Sequence, residues 1–124
     1  MTTPPRLNMD FSVPVDIPPS AQEWVTSPAD GVSRVHLERV APESGHTTSL
    51  VTFAPGSYFP EHDHPLGEEI LVLKGAFSDE FGDYPTGSYL SNPPGSKHSH
   101  LSKHFPCVEE ETLILVKTGH LPED

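Results

Sequence analysis

Apolar positions along this chain come in short runs separated by glycine and proline, and no stretch sustains a helical period. Val32 to Val40 alternates loosely between apolar and polar residues, which predicts a strand. Thr47 to Phe53 is rich in β-branched residues and stops at Pro55-Gly56. Within Glu69 to Lys74, Ile70-Leu71-Val72-Leu73 is continuously apolar and is closed by Gly75. Such a run predicts a strand covered on both faces, as in the middle of a sandwich. Ala76 to Phe81 precedes Gly82-Asp83, a hairpin-turn signal. A short strand is expected at Ser88 to Leu90, before Asn92-Pro93-Pro94-Gly95, and a last one at Thr112 to Lys117. Short strands with turns about every ten residues predict an all-β barrel or jelly roll. The only helical candidate is a brief turn near Ser20 to Trp24. Asp10 to Ile17 also alternates, so it reads either as an edge strand or as a loose arm.

Composition sharpens this picture. The chain has 124 residues, enough for one domain with a modest core. Its 15 prolines and 9 glycines favour turns over helices. Prolines 4, 5, 14, 18 and 19 mark residues 1–22 as a Pro-rich arm, leaving 23–124 as the folded domain. No apolar run reaches membrane-spanning length and no secretory signal is visible, so a cytoplasmic protein without membrane contact is expected. Cys107 is the only cysteine, which excludes an intrachain disulfide. A net charge of −11 with only seven lysines and arginines argues against nucleic acid. It also disfavours an anionic ligand unless a metal makes the pocket locally positive.

Two stretches carry candidate chemistry. In Glu61-His62-Asp63-His64-Pro65-Leu66-Gly67-Glu68-Glu69, the two histidines fall on one face of a strand, with Asp63 on the other. A carboxylate follows the turn, from either Glu68 or Glu69. Far along the chain, His98 follows a Pro-Pro-Gly turn. Three imidazoles and one carboxylate suit a borderline divalent transition metal. An isolated His-x-His is more simply two solvent-facing histidines. His100 alternates with His98 and reads either as an exposed loop residue or as a second donor. Cys107 reads as a small buried hydrophobe or a redox-sensitive thiol. His36, His46, His104 and His120 have no spacing that recruits them. Tyr58, Phe59, Leu71, Phe77 and Tyr89 are candidate pocket walls or ordinary core.

The spacings G-x5-H-x-H-x3-E-x6-G (from Gly56 to Gly75) and G-x5-P-x-G-x2-H (from Gly87 to His98) resemble the two signature motifs of the cupin superfamily. Ser102 stands where the second motif often carries Asn. The wording Thr48 to Gly56, Gly67 to Gly75, Phe77 to Gly87 and Ser88 to Ser96 is similar to ChrR-like cupins, the type that forms the C-terminal zinc domain of the anti-sigma factor ChrR, and to acetylacetone-dioxygenase-like single cupins. The resemblance implies a single-domain cupin jelly-roll barrel (double-stranded β-helix). It implies one divalent metal per chain, zinc or iron, with manganese and nickel also compatible. It selects Glu68, seven residues before Gly75, over Glu69, so the implied ligands are His62, His64, Glu68 and His98. Catalytic residues are not identified.

Two functions are compatible with that site. One is an Fe(II)-dependent dioxygenase cleaving a small β-dicarbonyl or related enolisable compound. The other is a non-enzymatic zinc cupin acting as a sensor or transcriptional-regulator module. The resemblance also implies a homodimer built on sheet edges, with the alternating arm from Phe11 to Ile17 as a device for pairing with a neighbour.

Overall fold

A computed structural model describes residues 7–8, 12–26, 31–39, 46–57, 63–64, 66–79, 82–94, 96–97 and 110–119. Among them the chain is almost entirely β. A single 3-10 turn, Pro19–Ala21, stands where the brief helical turn is expected. The strands in chain order are β1 (Val25–Thr26), β2 (Val32–Arg39), β3 (Thr47–Phe53), β4 (Asp63–His64) and β5 (Glu68–Lys74). They are followed by β6 (Ala76–Asp79), β7 (Gly82–Pro85), β8 (Tyr89–Asn92), β9 (Ser96–Lys97) and β10 (Thr112–Thr118). Six of them form one antiparallel sheet in the order β1-β2-β3-β10-β5-β8, and β4-β9 and β6-β7 form two small pairs. This is the all-β jelly-roll arrangement expected from the strand pattern.

One face of the large sheet is the core. Alternation along β3 buries Ser49, Val51 and Phe53, and along β5 it buries Ile70 and Val72. Register carries this face across the sheet: Val32 lies opposite Phe53, Ile114 opposite both Val51 and Val72, and Leu90 opposite Ile70. The β6–β7 hairpin covers its apolar end. Phe77 packs on Phe53 with ring centroids 6.0 Å apart and planes tilted by 56°, and Tyr84 adds to the same cluster. The hairpin is reached through Gly75, whose φ of +76° suits glycine. A Cβ there would sit 2.3 Å from the carbonyl oxygen of Glu111.

Three expectations need correction. The run Ile70 to Leu73 is not covered on both faces. Leu71 is half-buried and Leu73 is 41% exposed, whereas Ile70 and Val72 on the inner face are buried. Gly82-Asp83 is not the hairpin turn but the start of β7, since Asp79 pairs with Gly82. Positions 80–81, between the two strands, lie outside the described residues. No edge strand forms within residues 12–17, and Val13 and Val15 are about half exposed. The free edge of β2 is met instead by β1 and by an isolated Leu7–Arg39 bridge.

Candidate functional site

The inner face divides along its length. One end is the apolar cluster; the other is polar. β5 begins there with Glu68, which lies opposite Asn92 of β8 and Thr118 of β10. Thr118 in turn shares a hydrogen bond of 2.7 Å with Thr47. Glu68 is on the face of Ile70 and Val72, and Glu69 is on the opposite face with Leu71. There the Tyr89 hydroxyl donates to Glu69 Oε2 at 2.7 Å, and this bond raises the phenol pKa. The choice between the two carboxylates therefore has a structural counterpart: Glu68 faces the interior and Glu69 the outside. Asn92 Nδ2 is buried next to Glu68 and makes no hydrogen bond among the described residues.

The segments carrying the histidines are linked through the chain to this same end. Three residues separate β4 from Glu68, and three separate Asn92 from β9. The two pair antiparallel, with Asp63 opposite Lys97 and His64 opposite Ser96. His62, His98, His100 and Cys107 lie outside the described residues, as do Tyr58, Phe59, His104 and His120. Among the described residues no group of three His, Cys, Asp or Glu side chains gathers.

β2 brings residues that the spacing argument did not recruit. Arg34 lies opposite Val51 and His36 opposite Ser49, so both are on the inner face. The ladder then slips between His36 and Glu38, and Arg39 lands opposite Thr47, on the inner face again. Arg39 Nη2 lies against the His36 ring, 2.7 Å from Nδ1, and Ser49 Oγ is 3.4 Å from the same nitrogen. Burial, with Arg39 and then Arg34 beside it, pushes the His36 pKa down to about 4, so the ring is neutral and can accept from Arg39. Burial also lowers the pKa of Arg34, against which the nearby Glu68 carboxylate acts upward. Arg39 Nε is buried and has no hydrogen-bond partner among the described residues. No local sequence signal marked these groups, because two-residue alternation would put Arg34 and Arg39 on opposite faces, and only the slip in the ladder brings them to one.

His36 and Arg39 also line a cleft of about 580 Å³ between β2 and the N-terminal arm. Leu7, Ile17 and Val25 contribute to its walls, and the arm supplies Asp16 and Glu23.

Comparison with known proteins places this architecture. A chain in the crystal structure of Rhodobacter sphaeroides SigE in complex with the anti-sigma ChrR is 27% identical, with a TM-score of 0.62 over 77% of this chain and 49% of that one. An acetylacetone dioxygenase from Acinetobacter johnsonii superposes with a TM-score of 0.68 at 21% identity, over 86% and 72% of the two chains. The polyketide cyclase RemF from Streptomyces resistomycificus gives 0.63 at 18% identity, over 90% and 83%. These last two show a shared fold. A DNA damage-repair/toleration protein, DRT102 of Arabidopsis thaliana, is 36% identical over 58 residues, and the match spans only 19% of that plant protein. The ChrR Cupin-like domain family matches residues 14–122, nearly the whole chain, and the protein belongs to that family.

Proposed function

We propose that this cupin is a metal-dependent enzyme that uses His62, His64, Glu68 and His98 to hold one divalent ion, iron in the active form, and cleaves a C–C bond of a small enolisable dicarbonyl compound with oxygen. The observation that carries the reading is the pairing of β4 with β9, two segments that are each joined by a three-residue link to the end of the sheet where Glu68 lies opposite Asn92. Three imidazoles and one carboxylate form a donor set that fits a borderline transition metal. The buried, unbonded Asn92 Nδ2 beside Glu68 supports a site built for a further polar group. Such an ion supplies Lewis acidity toward chelating oxygens and a centre for oxygen chemistry.

The chain's own residues do the rest. Arg34, close to Glu68, sets a positive charge beside the carboxylate. The apolar end, with Ile70, Val72, Leu90 and Ile114, keeps water from one side of the polar group. Elemental analysis of protein purified without added metal, with oxygen uptake on acetylacetone, tests the reading. Iron near one per chain with substrate-dependent uptake supports it. A protein that binds no metal refutes it.

A second reading has its own support. The 27% identity to a chain of the SigE–ChrR structure favours a zinc cupin acting as a regulatory module. Full zinc occupancy and no oxygen uptake after iron reconstitution would select it. Partner proteins then become the relevant ligands.

A further inference from the structure

The polar end of the inner face is cationic in a strongly acidic protein. The chain has three arginines and a net charge of −11, yet two of those arginines are on the inner face of β2. Arg39 is close enough to disfavour the charge of Arg34, which burial disfavours first. His36 between them is neutral, and Glu68 is the carboxylate that acts on Arg34. Among the described residues this leaves an excess of positive charge in a partly desolvated place. A natural complement is an anion on the ligand.

We propose that the Arg34–Arg39 face of β2 binds the carboxylate of a small β-oxo acid, whose oxo group points toward Glu68 and the β4–β9 pair. This rests on the metal-dependent reading above and narrows its substrate class from neutral diketones to oxo carboxylates. Three observations carry it. Arg39 Nε is a buried donor with no hydrogen-bond partner among the described residues, and a guanidinium with a spare donor suits a carboxylate oxygen. The slip between His36 and Glu38 turns Arg39 onto the same face as Arg34, so the spare Arg39 donor and the Arg34 charge lie on one side of the sheet. His36 and Arg39 border the 580 Å³ cleft, a volume in the range of small-molecule sites, which gives Arg39 an opening. Asp16 and Glu23 make the arm wall of that cleft acidic, so an anion is favoured only against β2.

The test is anaerobic titration of the metal-loaded full chain with acetoacetate and, separately, acetylacetone, two ligands that share the β-dicarbonyl skeleton and differ in the carboxylate. Wild type should bind acetoacetate at least about tenfold more tightly. Arg39→Gln should erase most of that ratio, and Arg39→Lys should restore part of it, with metal content and thermal midpoint measured on each variant. Lys74→Gln, at an exposed ion pair with Glu111, should leave the ratio unchanged. A wild type that binds acetylacetone as tightly as acetoacetate overturns the proposal while the metal-dependent reading stands. So does an Arg39→Gln variant that keeps the full ratio. Failure of both ligands to bind a protein that also takes up no metal removes both conclusions together.

Discussion

Thr112 shows how much one hydroxyl can settle. It is completely buried, accepts from the Ala76 N–H at 3.3 Å and shares its single proton between the carbonyls of Ala76 and Glu110 at 2.9 Å each. Thr112→Val keeps the shape and leaves those backbone groups unsatisfied, so a loss of about 1–3 kcal/mol in denaturant unfolding is expected. His36 makes a pH-dependent prediction. Its folded pKa of about 4 is below the ordinary value of 6.5, so between these two the unfolded chain binds more protons than the folded one. Its contribution to stability is fully present above about pH 6.5 and is lost as pH falls toward 4. The thermal midpoint of wild type should therefore drop more steeply across that window than that of His36→Gln; parallel profiles would refute the assignment. Glu68 and Glu69 offer a sharper contrast. Glu68→Gln should greatly lower bound metal by mass spectrometry, because a neutral amide is a poor ligand. Glu69→Gln should change it little, since Glu69 faces outward toward Tyr89.

At the scale of elements, the β6–β7 hairpin closes the apolar end of the sheet chiefly through one ring. Phe77 is 2% exposed and packs on Phe53 and its cluster. Phe77→Ala should cost about 3–5 kcal/mol, measured by denaturant midpoint, as for other large-to-small changes in cores. The strands themselves were largely legible in the sequence. Thr47 to Phe53 is a strand with the expected bounds because β-branched residues and a Pro-Gly stop act locally. The start of β7 at Gly82 was not legible, since Gly-Asp is as compatible with a strand start as with a turn and only the pairing partner decides. β1 was missed because two residues carry no period. The same logic divides the candidate site. His-x-His and the glycine spacings are local and could be read. Arg34, His36 and Arg39 could not, because what brings them to one face is a register slip against β3.

For the whole molecule, most of the exposed large apolar side chains among the described residues come from one part of the chain. Leu7, Val13, Val15, Trp24 and Val25 lie in the arm, in β1 or directly before it, with Val13 at 53% and Val15 at 50% exposure. β1 is also the end strand of the large sheet, where backbone groups lack a further neighbour. We propose that a two-fold homodimer forms at this border, with the arm as part of the contact. Light scattering should give twice the chain mass for the full chain, and a shift toward monomer for a chain starting at Ser20. A monomeric full chain at micromolar concentration would reject the dimer. The opposite end of the sequence has a different consequence. β10 is inserted between β3 and β5, although it is made after both. Until residue 118 has been synthesised, β3 and β5 have no strand to join them, and the edges that face the gap carry open hydrogen-bonding groups. On the ribosome the chain must therefore wait, half-paired and exposed to other nascent strands, for its last strand to leave the exit tunnel before the sheet can close in a single step.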